Sequence, residues 1–333
     1  MMKINNKGLV KNYLDESLIK KMYKNCFGQI SDSINIKELY GGLKNTVYLI
    51  EDNYSKVVLK VAPKNNSEIL TVDKNNMWWE AKMLEKMSEL DVPAPKLIKF
   101  DDSGEICSEE YIFMSYIPGV TYSEIKKSLS LEIKQKIEYK IGEISSKISS
   151  LQANEYFLPS QPNKKYNDNY EFVCNLFFNL FNDLKMNNLI FNEEEMIVRV
   201  KKILKSNRKS LNNIKKIVLC CSDIWDGNIL ITNNDISGIV DFGDVYFCDE
   251  LMAFYFHTID GKTNKCFLDG YNKKYISYDE EIRIEIYRLY VILKMIVDCV
   301  IKKYQGFDWM FDIYKRIVER LEEFASQKIS YNK

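Results

Sequence analysis

Three residues able to handle protons and metal ions fall in one short stretch of the chain: Asp223, then Asn228 five positions on, then Asp241. Asp223 stands ahead of the apolar run Asn228–Thr232, and Asp241 follows directly on a second run, Ser237–Val240. The turn Thr232-Asn233-Asn234-Asp235 between them makes the pair a hairpin. A carboxylate before the hairpin, an amide at its start and a carboxylate at its end supply a proton acceptor and two oxygen ligands for a hard cation such as Mg²⁺. That is the equipment of phosphoryl transfer, which needs charge neutralisation and positioning more than covalent help. Asp and Asn are common in ordinary turns as well. Their order and spacing, with Asp241-Phe242-Gly243-Asp244 closing the hairpin, favour the chemical reading.

Two features upstream fit the same chemistry. Lys60 lies in Val58-Leu59-Lys60-Val61, where an ammonium between apolar neighbours is costly unless an anion meets it. Gly41-Gly42 separates two strand-like runs, Ile34–Tyr40 and Thr46–Ile50, and glycines let backbone N–H groups come close to a phosphate. The amphipathic pattern of 76–90 predicts a helix with Met77, Trp78, Ala81, Met83, Leu84, Met87 and Leu90 on one broad face. Glu80 borders that face and reaches Lys60 if the helix packs on the sheet.

The elements that must hold these groups can be read in order. A helix over 11–25 precedes the strands Ile34–Tyr40, Thr46–Ile50 and Lys56–Val61, an antiparallel meander. The break Asp91-Val92-Pro93-Ala94-Pro95 ends the 76–90 helix, and strands Lys96–Phe100 and Glu110–Met114 follow. Five strands and one inserted helix make a small α+β lobe, left through the connector Ser115-Tyr116-Ile117-Pro118-Gly119. Beyond Tyr122 the pattern is mainly helical: a stripe of Ile133, Ile137, Ile141, Ile144, Ile148 and Leu151, a loop over 153–165, and helices over 168–186 and 193–209. Apolar helical patterns at 249–258, 282–302 and 309–326 close the chain. The expected division is residues 1–116, binding nucleotide, and 117–333, carrying catalysis and the acceptor.

Composition excludes several classes. Hydrophobic content of 46% and charged content of 28% over 333 residues are those of a folded globular protein. Lys+Arg and Asp+Glu are equal at 47, which gives no basic field for nucleic acid or anionic lipid. The eight cysteines form no C-x-x-C pair, and the N-terminus lacks the apolar core of a secretory signal. No apolar run reaches the eighteen residues that a membrane span needs, and Tyr290–Ile301 is interrupted by Lys294 and Asp298. The expectation is a soluble cytoplasmic monomer that binds neither nucleic acid nor membrane. One histidine, His257, leaves no His-based metal site or triad, and is read as structural.

Together these stretches resemble the aminoglycoside phosphotransferase and choline kinase superfamily, which has the protein-kinase-like fold. Gly41-Gly42-x-x-Asn45-x-Val47-Tyr48 is similar to its nucleotide loop, and Lys60 with Glu80 to its ion pair. Met114–Gly119 is similar to its hinge, Cys221–Leu230 to its H-G-D-x-x-x-x-N-[IL]-L loop, and Ile239–Asp244 to its I-I-D-F-G-D. Cys221 and Ser222 replace the His and Gly of that loop, and the later G-D-P-x-x-D-L-A segment survives only around Asp249 and Ala253.

The resemblance implies an ATP or GTP donor with Mg²⁺ on Asn228 and Asp241, and Lys60 on the α- and β-phosphates. It places Gly41, Gly42 and Asn45 over the phosphates, the Ser115 carbonyl and Ile117 amide against the purine, and Asp223 at the acceptor hydroxyl. The acceptor it implies is an aminoglycoside-type antibiotic, with choline, a sugar or an amino acid as alternatives. A protein kinase is disfavoured, because the pattern starting near Glu250 follows Gly243 within seven residues and leaves no room for an activation segment. A catalytically silent binding or coat component is the non-enzymatic alternative. Asp226 and Asp244 are weighed as either acceptor-binding acids or turn caps.

Overall fold

The computed structural model describes residues 10–28, 33–39, 44–53, 55–64, 69–158, 161–187, 193–259 and 262–331. The chain is α+β and two-lobed, as expected. In the first lobe α1 (Glu16–Phe27) is capped by the Asp15 carboxylate and ends at Gly28, whose φ of 79° suits a glycine. There follow β1 (Asn35–Glu38), β2 (Thr46–Glu51), β3 (Lys56–Val61), α2 (Asn76–Glu89), β4 (Leu97–Asp101) and β5 (Tyr111–Ser115). The five strands form one antiparallel sheet in the order β1-β2-β3-β5-β4. β3 is the central strand, with Lys60 opposite Val47 on one side and Ile112 on the other.

Two layers of core flank this sheet. On one face α1 packs Ile19, Met22 and Tyr23 against Ile50, Leu59 and Phe113. The other face carries α2, whose Met77, Ala81, Met83, Leu84 and Met87 merge into the core of the second lobe. Leu70 and Val72, from the 3-10 turn ahead of α2, are buried in that same core. The first lobe is thus joined to the second by more than its connector.

The second lobe begins with β6 (Val120–Thr121), α3 (Tyr122–Ile125) and α4 (Leu131–Ile148). Ile137, Ile141, Ile144 and Ile148 of the predicted stripe are buried on α4. The segment read as a loop contains the short strands β7 (Gln152–Ala153), β8 (Tyr156–Phe157) and β9 (Lys165–Tyr166). Helices α5 (Asn169–Met186), α6 (Glu193–Ser206) and α7 (Arg208–Asn212) lead to β10 (Ile217–Cys221), β11 (Ile229–Thr232), β12 (Asp235–Ile239) and β13 (Val245–Cys248). β10 and β13 pair with each other, β7 lies beside β10, and β8 followed by β9 lies beside β13, completing a second five-stranded sheet.

The β11–β12 hairpin turns on Asn233 and Asn234, with φ of 52° and 59°. Two positive φ angles define a type I′ turn, which Asn tolerates. After β13 the expected helix over 249–258 is replaced by two 3-10 turns, Glu250–Ala253 and Tyr255–His257, because Asp249 and its neighbours are drawn into tertiary bonds. The chain ends with β14 (Thr258–Ile259), β15 (Lys262–Thr263), the unexpected α8 (Lys265–Tyr271), α9 (Tyr278–Ile301) and α10 (Trp309–Tyr331). Among the described residues no helix is long and apolar enough to cross a membrane.

Candidate active site

The cleft between the lobes gathers side chains from four separated stretches. Lys60 projects from central strand β3 and is 5% exposed; Glu80, on the sheet side of α2, is 2% exposed. The Lys60 Nζ donates to Glu80 Oε1 at 2.9 Å and Oε2 at 2.7 Å, and to Asp241 Oδ1 at 2.8 Å. An ammonium so deeply buried needs such compensation. Burial opposes its charge, but Asp241 and Glu80 outweigh that and hold the amine well above its usual pKa. Burial and the nearby Asp241 push the Glu80 carboxyl up, against the pull of Lys60.

Asp241 follows β12 with a φ of 67°, a left-handed conformation that costs a non-glycine residue about 1–2 kcal/mol. Burial raises its carboxyl, but Lys60 outweighs this and keeps it ionised, with help from Lys44 and the Gly243 N–H. Gly243 lies beside Glu80: a Cβ there would sit in ordinary contact, 3.6 Å from Glu80 Oε2.

The segment carrying Asp223 is a series of tight turns. The Trp225 N–H donates to the Asp223 carbonyl at 3.1 Å, and the Asn228 N–H to the Trp225 carbonyl at 2.8 Å. Asn228 Nδ2 donates to Asp223 Oδ2 at 2.8 Å and to the Asp223 carbonyl at 3.0 Å, tying the two candidate residues together. The Val240 N–H donates to the Asn228 carbonyl at 2.9 Å, linking this loop to the stretch that ends in Asp241. Burial, with Asp241 and Asp244 nearby, pushes the Asp223 carboxyl well above the usual carboxylate range.

Residues replacing the familiar His and Gly sit in the scaffold. Cys221 is buried opposite Val245, and the Ser222 N–H donates to the Asp244 carbonyl at 3.0 Å. The buried Tyr255 hydroxyl donates to the Ser222 carbonyl at 2.7 Å. Asp249 caps the following 3-10 turn and accepts from Arg283 Nε at 2.7 Å and the Tyr287 hydroxyl at 2.9 Å. The loop is held without a histidine. His257 is buried instead, stacked on Phe267 with centroids 4.2 Å apart and its Nδ1 3.4 Å from Glu138 Oε2.

The connector side is equally defined. The Ser115 N–H donates to the Lys96 carbonyl at 2.9 Å, and its Oγ accepts from the Lys96 N–H at 2.8 Å. Ile117 occupies the space above Gly238, where a Cβ would come within 2.5 Å of its Cδ1. Asn45 is half-buried at the start of β2, whereas Gly41 and Gly42 lie outside the described residues.

Sequence reasoning missed a second buried charge cluster beside the first. Lys294, from the middle of α9, lies 2.9 and 2.8 Å from the Asp244 oxygens and 3.1 Å from Asp73 Oδ1. Asp73, in the turn ahead of α2, also pairs with Lys44. The available signal was Lys294 interrupting an otherwise apolar helical run. Asp226 is engaged by Lys126 at 2.8 Å. Several acids that could have formed an acceptor pocket are engaged elsewhere: Asp183 with Thr71, Asp279 with Ser210, Glu280 with Lys273, and Glu285 with Arg288. Among the described residues no group of three or more Asp, Glu, His or Cys has the arrangement of a self-sufficient metal cage.

A two-lobed frame with a lysine–glutamate pair above an Asp–Asn–Asp hairpin defines a class, and comparison with known proteins agrees. The profile of the phosphotransferase enzyme family matches residues 35–252, so the chain belongs to that family. No curated protein matches the sequence. Among solved structures it is similar to the aminoglycoside phosphotransferase APH(4)-Ia in complex with AMP-PNP and hygromycin B, at 14% identity and a TM-score of 0.62, covering 92% of this chain and 98% of that one. It is also similar to a Haemophilus somnus protein assigned as a fructosamine-3-kinase, at 18% identity and a TM-score of 0.65, covering 91% and 96%. A third is APH(2")-IIa in its streptomycin–ATP complex, at 18% identity and a TM-score of 0.59, covering 94% and 97%. At these identities the likeness speaks for the fold alone.

Proposed function

We propose that the protein is a small-molecule kinase that transfers the γ-phosphoryl group of ATP or GTP to a hydroxyl acceptor, with an aminoglycoside-type compound as the leading acceptor class. The observation that carries this reading is Lys60, held by Glu80 and facing Asp241, with Asp223 bonded to Asn228 across the same cleft. Lys60 binds the α- and β-phosphates. The Ser115 carbonyl and Ile117 amide meet the purine, and the nucleotide loop from Gly41 to Asn45 covers the phosphates. Asp223 orients the acceptor hydroxyl and takes its proton. Burial and the neighbouring Asp241 and Asp244 raise its carboxyl, which makes it a stronger base.

The donor set suits Mg²⁺. Asn228 commits its amide NH₂ to Asp223, leaving the oxygen for a cation, and Asp241 is ionised. The crowding of Asp223, Asp241 and Asp244, felt as an elevated Asp223 carboxyl, is what a divalent cation relieves. Two protein oxygens are few, which fits an ion that keeps waters and takes further oxygens from phosphates. When bound there, Mg²⁺ neutralises charge on the phosphates.

The nearby structures solved with AMP-PNP or ATP support a nucleotide donor. The aminoglycoside reading rests on family resemblance and on the hygromycin and streptomycin complexes of those neighbours. The experiment is a panel of hydroxyl acceptors, including aminoglycosides, choline, fructosamines, sugars and amino acids, assayed with ATP and GTP. Phosphorylation of one class identifies the acceptor. No transfer and no nucleotide binding would leave the catalytically silent alternative.

A further inference from the structure

The second charge cluster repeats the logic of the first. Lys60 rises from β3 and is oriented by Glu80 of α2; Lys44 leads into β2 and is oriented by Asp73, just ahead of α2. Asp73 is 5% exposed and fixed from its other side by Lys294, which is itself held by Asp244, three residues after Asp241. Thr71 anchors the same turn to α5, donating through its N–H and hydroxyl to Asp183 at 2.8 and 2.6 Å. The carboxylate that receives Lys44 is therefore buried and held from two sides. Lys44 is not sealed in: 31% of its side chain is exposed, against 6% for Lys60. An ammonium has three donors, and Asp73 engages only one side of it.

We propose that Lys44 is a second phosphate-binding lysine, held by Asp73 over the reaction centre and directed at the γ-phosphate. This deepens the kinase reading and rests on it. The division of labour follows from position. Lys60 is bound to Asp241 on the sheet side of the cleft, where the inner phosphates lie in that reading. Lys44 stands further along the same cleft, joined through Asp73 and Lys294 to Asp244, three residues after Asp241. A cation there offsets negative charge on the outermost phosphate and on the transition state.

The test is nucleotide affinity, measured calorimetrically on the full chain with magnesium, comparing AMP-PNP with ADP. Lys44→Met removes the charge and keeps most of the stem. It is expected to weaken AMP-PNP roughly ten- to hundredfold, the scale of a lost charged hydrogen bond, with ADP changed less than about threefold. Lys44→Arg should retain most of the AMP-PNP affinity. The double variant Lys44→Met/Asp73→Asn leaves no unpaired carboxylate, so it tests the same point if Lys44→Met alone folds poorly. Unchanged AMP-PNP affinity in these variants, or an equal loss for both nucleotides, would overturn the γ-phosphate role while leaving the kinase reading intact. If the wild-type chain binds neither nucleotide, the kinase reading falls and this inference with it.

Discussion

A lysine donating to two carboxylates from different lobes is the tightest constraint at the level of residues. Lys60 joins Glu80 and Asp241, so removing the lysine leaves the buried Glu80 carboxylate without its partner, at about 3–5 kcal/mol. Asp223 differs: its side chain is bonded by Asn228, a neutral donor, and its neighbours are acids. This separates structural from chemical duty. Asp223→Asn keeps the shape and removes a carboxylate, so it is expected to lower turnover by roughly 10²–10⁴ while nucleotide affinity barely changes. Single-turnover assays alongside nucleotide titration check this; wild-type transfer by the variant would reassign the base. That Asp223, Asn228 and Asp241 come together was legible because they lie at short spacings along one hairpin. The Asp73–Lys294–Asp244 bridge was not, because its members lie on three distant elements and nothing local ties them together.

Elements position these groups through two devices that can be tested separately. The β11–β12 hairpin is tied to α4 by Asp235, which accepts from Lys140 at 2.7 Å and Lys136 at 2.9 Å. Slight burial works against the charge, but the two lysines and the Ile236 N–H outweigh it and bring Asp235 down to about 2. A depressed carboxylate stabilises the fold above its unfolded value near 4, and that contribution is lost as pH falls towards 2. The pair is half-exposed, so about 0.5–1 kcal/mol is at stake after screening. Asp235→Asn should therefore cut stability at pH 6 by that amount and have little effect at pH 2, as read by urea unfolding at each pH.

The second device is the crossing of α4 and α8. A Cβ on Gly270 would sit 1.9 Å from the Tyr139 carbonyl oxygen, and one on Gly142 would sit 2.2 Å from that of Phe267. Alanine ordinarily favours a helix by about 1 kcal/mol over glycine. Here Gly270→Ala should instead destabilise, by about 1–3 kcal/mol, because backbone rather than a flexible side chain must move. A higher urea midpoint for this variant would contradict the close packing. The α4 stripe was readable from its spacing, whereas α8 was missed: seven residues with two glycine-dependent contacts carry too short a period. The apolar run at 249–258 misled for the opposite reason, since Asp249, Arg283 and Tyr287 bend it into 3-10 turns.

For the whole molecule, the two lobes meet along several independent paths. The connector is bound where the Ser237 and Thr232 hydroxyls donate to the Pro118 carbonyl at 2.7 and 2.9 Å, and the Ile239 N–H donates to the Pro93 carbonyl at 2.7 Å. The 70–73 turn adds a second attachment, through Asp183 and Lys294. The lobe architecture was readable because the strand runs and the 76–90 helix are local patterns. The tethering was not, because Leu70 and Val72 look like loop residues until the helical lobe encloses them.

Such tethering favours a cleft largely formed before nucleotide arrives, and a ligand that binds only the folded chain raises its stability by mass action. At a hundredfold excess over Kd, nucleotide with magnesium is expected to add about 2.7 kcal/mol, visible as a higher melting temperature. The contributions are separable. Asp241→Ala removes the proposed metal ligand, so the shift should lose its magnesium-dependent part and keep the rest. Lys60→Ala removes the proposed phosphate partner and should reduce the shift with or without magnesium. Measured melting of the three proteins with ATP, GTP, and each plus magnesium distinguishes these outcomes. If neither nucleotide with magnesium moves the wild-type transition, the cleft does not bind nucleotide, and Lys60, Glu80 and Asp241 serve the fold alone.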